Sequence, residues 1–170
     1  MNPSRAGMVA LLIVLAVTLQ TAVFSLFAVN GVVPNLALIV VVAAAIARGP
    51  AFGATIGFLA GLLLDLAPPA DHVAGRWALA FVLIAILAGR VRDDARRSPL
   101  AGLATVAVCS FVATSIFALS GTVLGDHALP PGQMMQVIAI ALLWDVVVTP
   151  LLLPMFMSLF ERTRPAELAY

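Results

Sequence analysis

Three ionisable side chains stand in apolar surroundings, and they are the natural place to look for chemistry. Asp65 lies near the end of the apolar run 51–67, Arg76 near the start of the run that opens at Gly75, and Asp145 inside the run 134–160. A charged group in such a stretch is costly to bury, so it must be paired, hydrogen-bonded or turned toward a wet cavity. Asp65 is about 16 residues, roughly 24 Å of helix rise, from the start of its run. Arg76 lies at a comparable depth on the following run, so the expectation is an Asp65–Arg76 pair. Asp145 lies about 12 residues, or ~18 Å, into its own run and has no arginine at its depth. The expectation there is a hydrogen bond to nearby backbone or to hydroxyls such as Thr114 or Ser115. Its functional use would be a proton or ion relay.

No other residues assemble into a catalytic set. His72 and His127 each lie beside an aspartate, Asp71 and Asp126, in loops that could face one another. Two histidines without a sequence-close ligand partner are a weak metal signature. Ser110, Ser115 and Ser120 lack a paired histidine or lysine and read as hydrogen-bonding groups between helices. Cys109 is the single cysteine, so no disulfide can form within the chain. There is neither a phosphate-binding loop nor a dinucleotide fingerprint. The expectation is therefore no catalytic residue, no metal and no cofactor. A net charge of +1 leaves no field that would attract nucleic acid.

The elements that must position these groups are membrane helices. With 63% hydrophobic and 10% charged residues, the chain has too much apolar surface for one soluble core. Six apolar runs imply an all-α, polytopic bundle of six transmembrane helices in a single domain spanning 1–170. The expected helices are about 7–29, 32–47, 51–67, 75–90, 100–124 and 134–160. Arg5 precedes the first run, but the run is too long for a cleaved leader and reads as a retained span. The second and fourth runs fall slightly short of the ~17 residues that a span requires, which leaves a re-entrant pair as the alternative. Alternate connections place Arg5, Arg48, Arg90, Arg92, Arg96, Arg97, Arg162 and Arg164 on one side and only Arg76 on the other. Positive loops are retained in the cytoplasm, so both termini are expected there. The segment 90–97 also carries Asp93 and Asp94 and reads first as a topogenic loop, with anionic lipid or a cytoplasmic partner as its other use.

Gly49, Gly53, Gly57 and Gly61 recur every four residues, with Asp65 next in the series. Association in lipid depends on close packing, and such a ridge admits a neighbouring backbone. It can serve a helix of the same chain or a partner interface. Gly57→Leu is therefore expected to be far more damaging than Ala60→Leu.

Pro34-Asn35-Leu36, then Arg48-Gly49, then Gly53, Gly57, Phe58, Gly61, Leu62, Leu63 and Asp65, followed by Gly75, Ala78, Leu79 and Gly89, resemble the rod shape-determining protein MreD family. Its motif positions here are Pro34, Asn35, Asp65 and Gly75. Asn35 stands where the family often has aspartate. The resemblance implies a non-enzymatic scaffold of the bacterial cell-elongation complex in the cell (inner) membrane. Such a scaffold would act in cell-shape maintenance and peptidoglycan synthesis through association with MreC. Further implied partners are RodA, a class B penicillin-binding protein and MreB, besides membrane lipid. It also implies a fold like that of the substrate-binding subunits of energy-coupling-factor transporters. A small-molecule transporter or substrate-binding membrane subunit is accordingly the alternative.

Overall fold

The computed structural model describes residues 3–68, 72–126 and 130–163, and all regular structure among them is helical. The N-terminal helix α1 (Pro3–Thr18) runs on through a π-helical turn, Leu19–Val23, and a 3-10 turn, Phe24–Phe27. Next come α2 (Leu36–Arg48) and α3 (Pro50–Leu66), then α4 (Arg76–Arg90) and a short α5 (Arg92–Arg97). Two long helices, α6 (Pro99–Leu124) and α7 (Pro131–Arg162), complete the chain. By length and composition three helical stretches can cross a membrane: Pro3–Phe27, Pro99–Leu124 and Pro131–Arg162. Leu36–Arg48 and Pro50–Leu66 are apolar but shorter. The connection 90–97, read above as a loop, holds the helix α5, whose Ala95 is buried.

The shortest of the apolar helices is also the most enclosed. Every residue from Leu36 to Ala47 is buried, most at 0% exposure. A helix apolar on all sides belongs inside protein rather than on its surface, and α2 lies among α1, α3, α4, α6 and α7 as the axis of the bundle. The other helices turn large apolar side chains outward, among them Leu11, Phe58, Leu83, Phe111 and Val147. That combination, an apolar core beneath an apolar surface, is the signature of a membrane protein.

The glycine series on α3 is spent within the chain. A Cβ on Gly53 would lie 2.5 Å from the Ala45 Cβ of α2, and one on Gly57 would lie 2.7 Å from the Phe81 carbonyl oxygen of α4. A Cβ on Gly61 would strike the Ala78 backbone, and Gly89 of α4 meets Pro50 in the same way. The drift of about 40° per four residues turns the ridge from α2 at Gly53 toward α4 at Gly57 and Gly61. Gly49 is different: with φ of 97° it joins α2 to α3, a backbone conformation that glycine adopts without strain. Ala60 is fully buried, so Ala60→Leu is no neutral control. The exposed Thr55 on the same helix serves instead.

The described arginines other than Arg76 gather at one end of the bundle. Arg48 stacks over the Phe52 ring, 3.6 Å from its centroid, and its Nη1 lies 3.5 Å from Thr163 Oγ1. Arg96 donates to Glu161 Oε1 at 2.7 Å and to the Ala47 carbonyl at 3.4 Å, placing a cation at the negative end of α2. The start of α1 reaches the same end, where Met8 and Leu12 share a groove with Phe160 and Thr163.

Candidate functional site

Asp145 and Asp65 do the same local task at two places: each closes the start of a helix to which it does not belong. The first N–H groups of a helix lack intrahelical partners, and leaving them bare in a dry interior is costly. At the start of α2, the Asn35 side chain accepts from the Leu38 N–H at 3.0 Å, as an N-cap does. The Asn35 N–H donates to Asp145 Oδ1 at 2.7 Å, and the Ala37 N–H donates to Gln20 Oε1 at 3.1 Å. Ser110 on α6 donates its hydroxyl to Asp145 Oδ2 at 2.6 Å. Asp145 is 1% exposed, and Asn35, Gln20 and Ser110 are also buried. The π-helical turn after α1, together with α6 and α7, thus converges on the positive end of α2. Gln20 lies in the π-helical turn, the kind of local widening that recurs at functional positions.

Asp65 works on α4. Its Oδ2 accepts from the N–H groups of Gly75 at 2.8 Å and Ala78 at 3.2 Å, and its Oδ1 accepts from Trp77 at 3.1 Å. Gly75 has φ of 101°, a left-handed turn that a residue with a Cβ would strain to make. His72 Nε2 lies 3.7 Å from Asp65 Oδ1, and its ring packs on Phe117 with centroids 5.1 Å apart.

The expected Asp65–Arg76 pair is not made. Arg76 leaves the start of α4 in another direction and donates to Asp126 Oδ2 at 2.6 Å. It also donates to the Phe117 carbonyl at 2.5 Å and to Ser120 Oγ at 3.2 Å, with its guanidinium 3.9 Å over the Phe117 ring. Trp77 stacks on the same ring at 4.4 Å. The physical reason is competition: Asp65 is already taken by backbone donors, while Asp126 follows α6, directly across from Arg76. Gly121 makes this approach possible, because a Cβ there would strike the guanidinium. The hydroxyl that reaches Asp145 is Ser110 rather than Thr114 or Ser115, and one helical turn separates Ser110 from Thr114.

The four motif positions Pro34, Asn35, Asp65 and Gly75 therefore fall at two helix starts. Asn35 and Gly75 are the N-caps of α2 and α4, and Pro34 leads into the first of them. No local sequence signal marks Ser110 as the partner of Asp145 or Gln20 as the acceptor for the Ala37 N–H. Among the described residues, no group of three or more His, Cys, Asp and Glu side chains could hold a metal ion. His127, the second histidine of the weak metal signature, lies outside the described residues, as do Asp71 and Arg164. Chemically, the arrangement holds helices together through buried hydrogen bonds.

Comparison with curated proteins and with solved structures returned no match. The family model for the rod shape-determining protein MreD matches residues 4–163, nearly the whole chain and all seven helices. With both helix starts built from the motif residues that first suggested it, the chain belongs to the MreD family of rod shape-determining membrane proteins.

Proposed function

We propose that this protein is a non-enzymatic scaffold of the cell-elongation complex, acting in cell shape and peptidoglycan synthesis through association with MreC. The observation that carries the reading is how the buried polar groups are used. Asp65, Asp145, Asn35 and Gln20 close helix starts, Ser110 donates to Asp145, and the axis of the bundle is filled by α2. A carrier for small solutes needs a central cavity where this protein places twelve buried residues of one helix. RodA, a class B penicillin-binding protein and MreB are the further partners of the proposed assembly.

The proposal includes six membrane crossings with both ends in the cytoplasm of a bacterial inner membrane. In this arrangement α2 spans together with the extended residues that lead into it. Thirteen residues of helix rise about 20 Å, and Val32 to Asn35 in extended form add roughly 10 Å. The sum approaches the ~30 Å hydrocarbon layer. Non-helical backbone at that depth is tolerated where protein encloses it, and Pro34 and Asn35 are buried. The gathering of arginines at one end supports a cytoplasmic assignment for that end.

Two measurements test the reading. Co-purification from detergent should retain MreC at near-stoichiometric yield; a preparation that lacks MreC while keeping a small organic ligand would favour a substrate-binding subunit. A topology reporter inserted at residue 71 should respond as periplasmic, and a cytoplasmic response would overturn the six-span arrangement.

A further inference from the structure

At the arginine-rich end, α6 and α7 part to leave a groove of about 690 Å³. Leu103, Leu153 and Met157 make its apolar lining, Pro150 and Pro154 one wall, and Arg96 and Glu161 its rim. We propose that this groove holds one acyl chain of an anionic phospholipid, with the headgroup at the rim beside Arg96. The inference rests on the chain lying in a membrane and is independent of which side the arginines face.

Depth argues for lipid over a partner's transmembrane helix. The groove runs along α7 from Thr149 to Glu161, twelve residues or about 18 Å of rise. That approximates the hydrocarbon of a single leaflet, half of a ~30 Å core, whereas a crossing helix would need a seat through both leaflets. Charge argues for an anionic headgroup. Among the described residues, this end carries Arg5, Arg48, Arg90, Arg92, Arg96, Arg97 and Arg162 against Asp93, Asp94 and Glu161. The start of α6, where Pro99 and Leu100 line the rim, adds the positive end of a 26-residue helix. Arg96 is one-third exposed and keeps donors beyond the two it spends on Glu161 and Ala47. Basic pockets between helices at this level are suited to anionic headgroups.

The test uses the full chain in lipid nanodiscs doped with phosphatidylglycerol or phosphatidylcholine carrying a photoactivatable acyl chain, with labelled peptides mapped by mass spectrometry. The phosphatidylglycerol probe should label residues 99–103 and 149–158 about fivefold more than the phosphatidylcholine probe, the equivalent of one arginine contact to an anionic headgroup. Arg96→Gln should abolish that preference and Arg96→Lys should keep it; a purely structural Arg96 would affect both variants alike. Leu103→Trp, which fills the groove, should remove labelling there while labelling of the exposed face at Leu143 and Val147 persists. If that variant fails to fold, Ser158→Trp from the opposite wall is read in the same way. Equal labelling by the two probes, or labelling unchanged by a groove-filling tryptophan, overturns the proposal. So does loss of groove labelling when the chain is extracted in complex with a single-span partner, which would make the groove a seat for that partner's helix.

Discussion

Asp65 and Asp145 perform one task in two settings. Asp65 reaches the start of α4 across a connection of about ten residues, at the rim of the bundle, with His72 and the Arg76–Asp126 pair nearby. Asp145 reaches the start of α2 from 110 residues away, in the interior, where it accepts from the Asn35 N–H and the Ser110 hydroxyl. The first is a local closure of a helical hairpin, held further by glycine contact between α3 and α4. The second is a long-range tie that fixes the last helix to the second. Their shared chemistry shows why carboxylates are retained at membrane depth here: each offers two acceptor oxygens to donors that would otherwise be bare. Both carboxylates are equally buried, each 1% exposed, but Gly75 and Trp77 are half-buried whereas Asn35 and Ser110 are buried. Burial of the donors, rather than the number of bonds accepted, should therefore decide the energetic weight of each cap.

The largest expected effect comes from the packing that makes the local closure possible. Gly61→Leu drives a side chain into the Ala78 backbone and lifts Asp65 off the start of α4. We expect a loss above about 3 kcal/mol, since backbone cannot repack around the added atoms. Thermal unfolding in detergent should show it, with Thr55→Leu near wild type; equal melting of the two would remove the glycine argument. Next comes Asp145→Leu, which strands the Asn35 N–H and the Ser110 hydroxyl in a dry site, at roughly 2–5 kcal/mol. Asp145→Asn keeps one acceptor and should recover about half of that.

Asp65→Ala strands three N–H groups, yet two of them belong to the half-buried Gly75 and Trp77, where water can substitute, so about 1–3 kcal/mol is expected. Should Asp65→Ala prove costlier than Asp145→Leu under the same conditions, bond count outweighs burial and the comparison is inverted. Ser110→Ala is the mildest, at about 1 kcal/mol. Its sharper readout is amide hydrogen exchange at Asn35, which should quicken while that of Gly75 stays unchanged; coupled changes at both sites would mean the two caps form one network.

Much of the architecture was legible because lipid imposes simple rules. Apolar runs announced the helices, and α3, α4, α6 and α7 lie close to their expected bounds. Arginine spacing announced which connections share an end. The glycine series announced a close contact, although not that it would turn from α2 to α4 along its length. The site was less legible. Asp65 and Arg76 look like partners when depth alone is counted, because depth ignores direction around the helix axis. Arg76 instead takes Asp126, a residue whose place next to His127 in the sequence says nothing of an arginine partner. Ala60 shows the same blindness: one residue before a ridge glycine, it too faces the interior.

What the sequence by itself determined is the helical, membrane-embedded class and the end at which the arginines collect, which follow from local composition and spacing, and the family, which rests on the resemblance of its motif residues and on the match to the family model. What only the tertiary structure decided is which donors the two buried aspartates serve. A carboxylate marks a demand for hydrogen-bond donors but not their source. The source depends on which helix start the packing brings within 3 Å, ten residues away for Asp65 and 110 for Asp145. The same holds for α2: twelve consecutive apolar residues state that a helix is buried, and only its neighbours make it the axis.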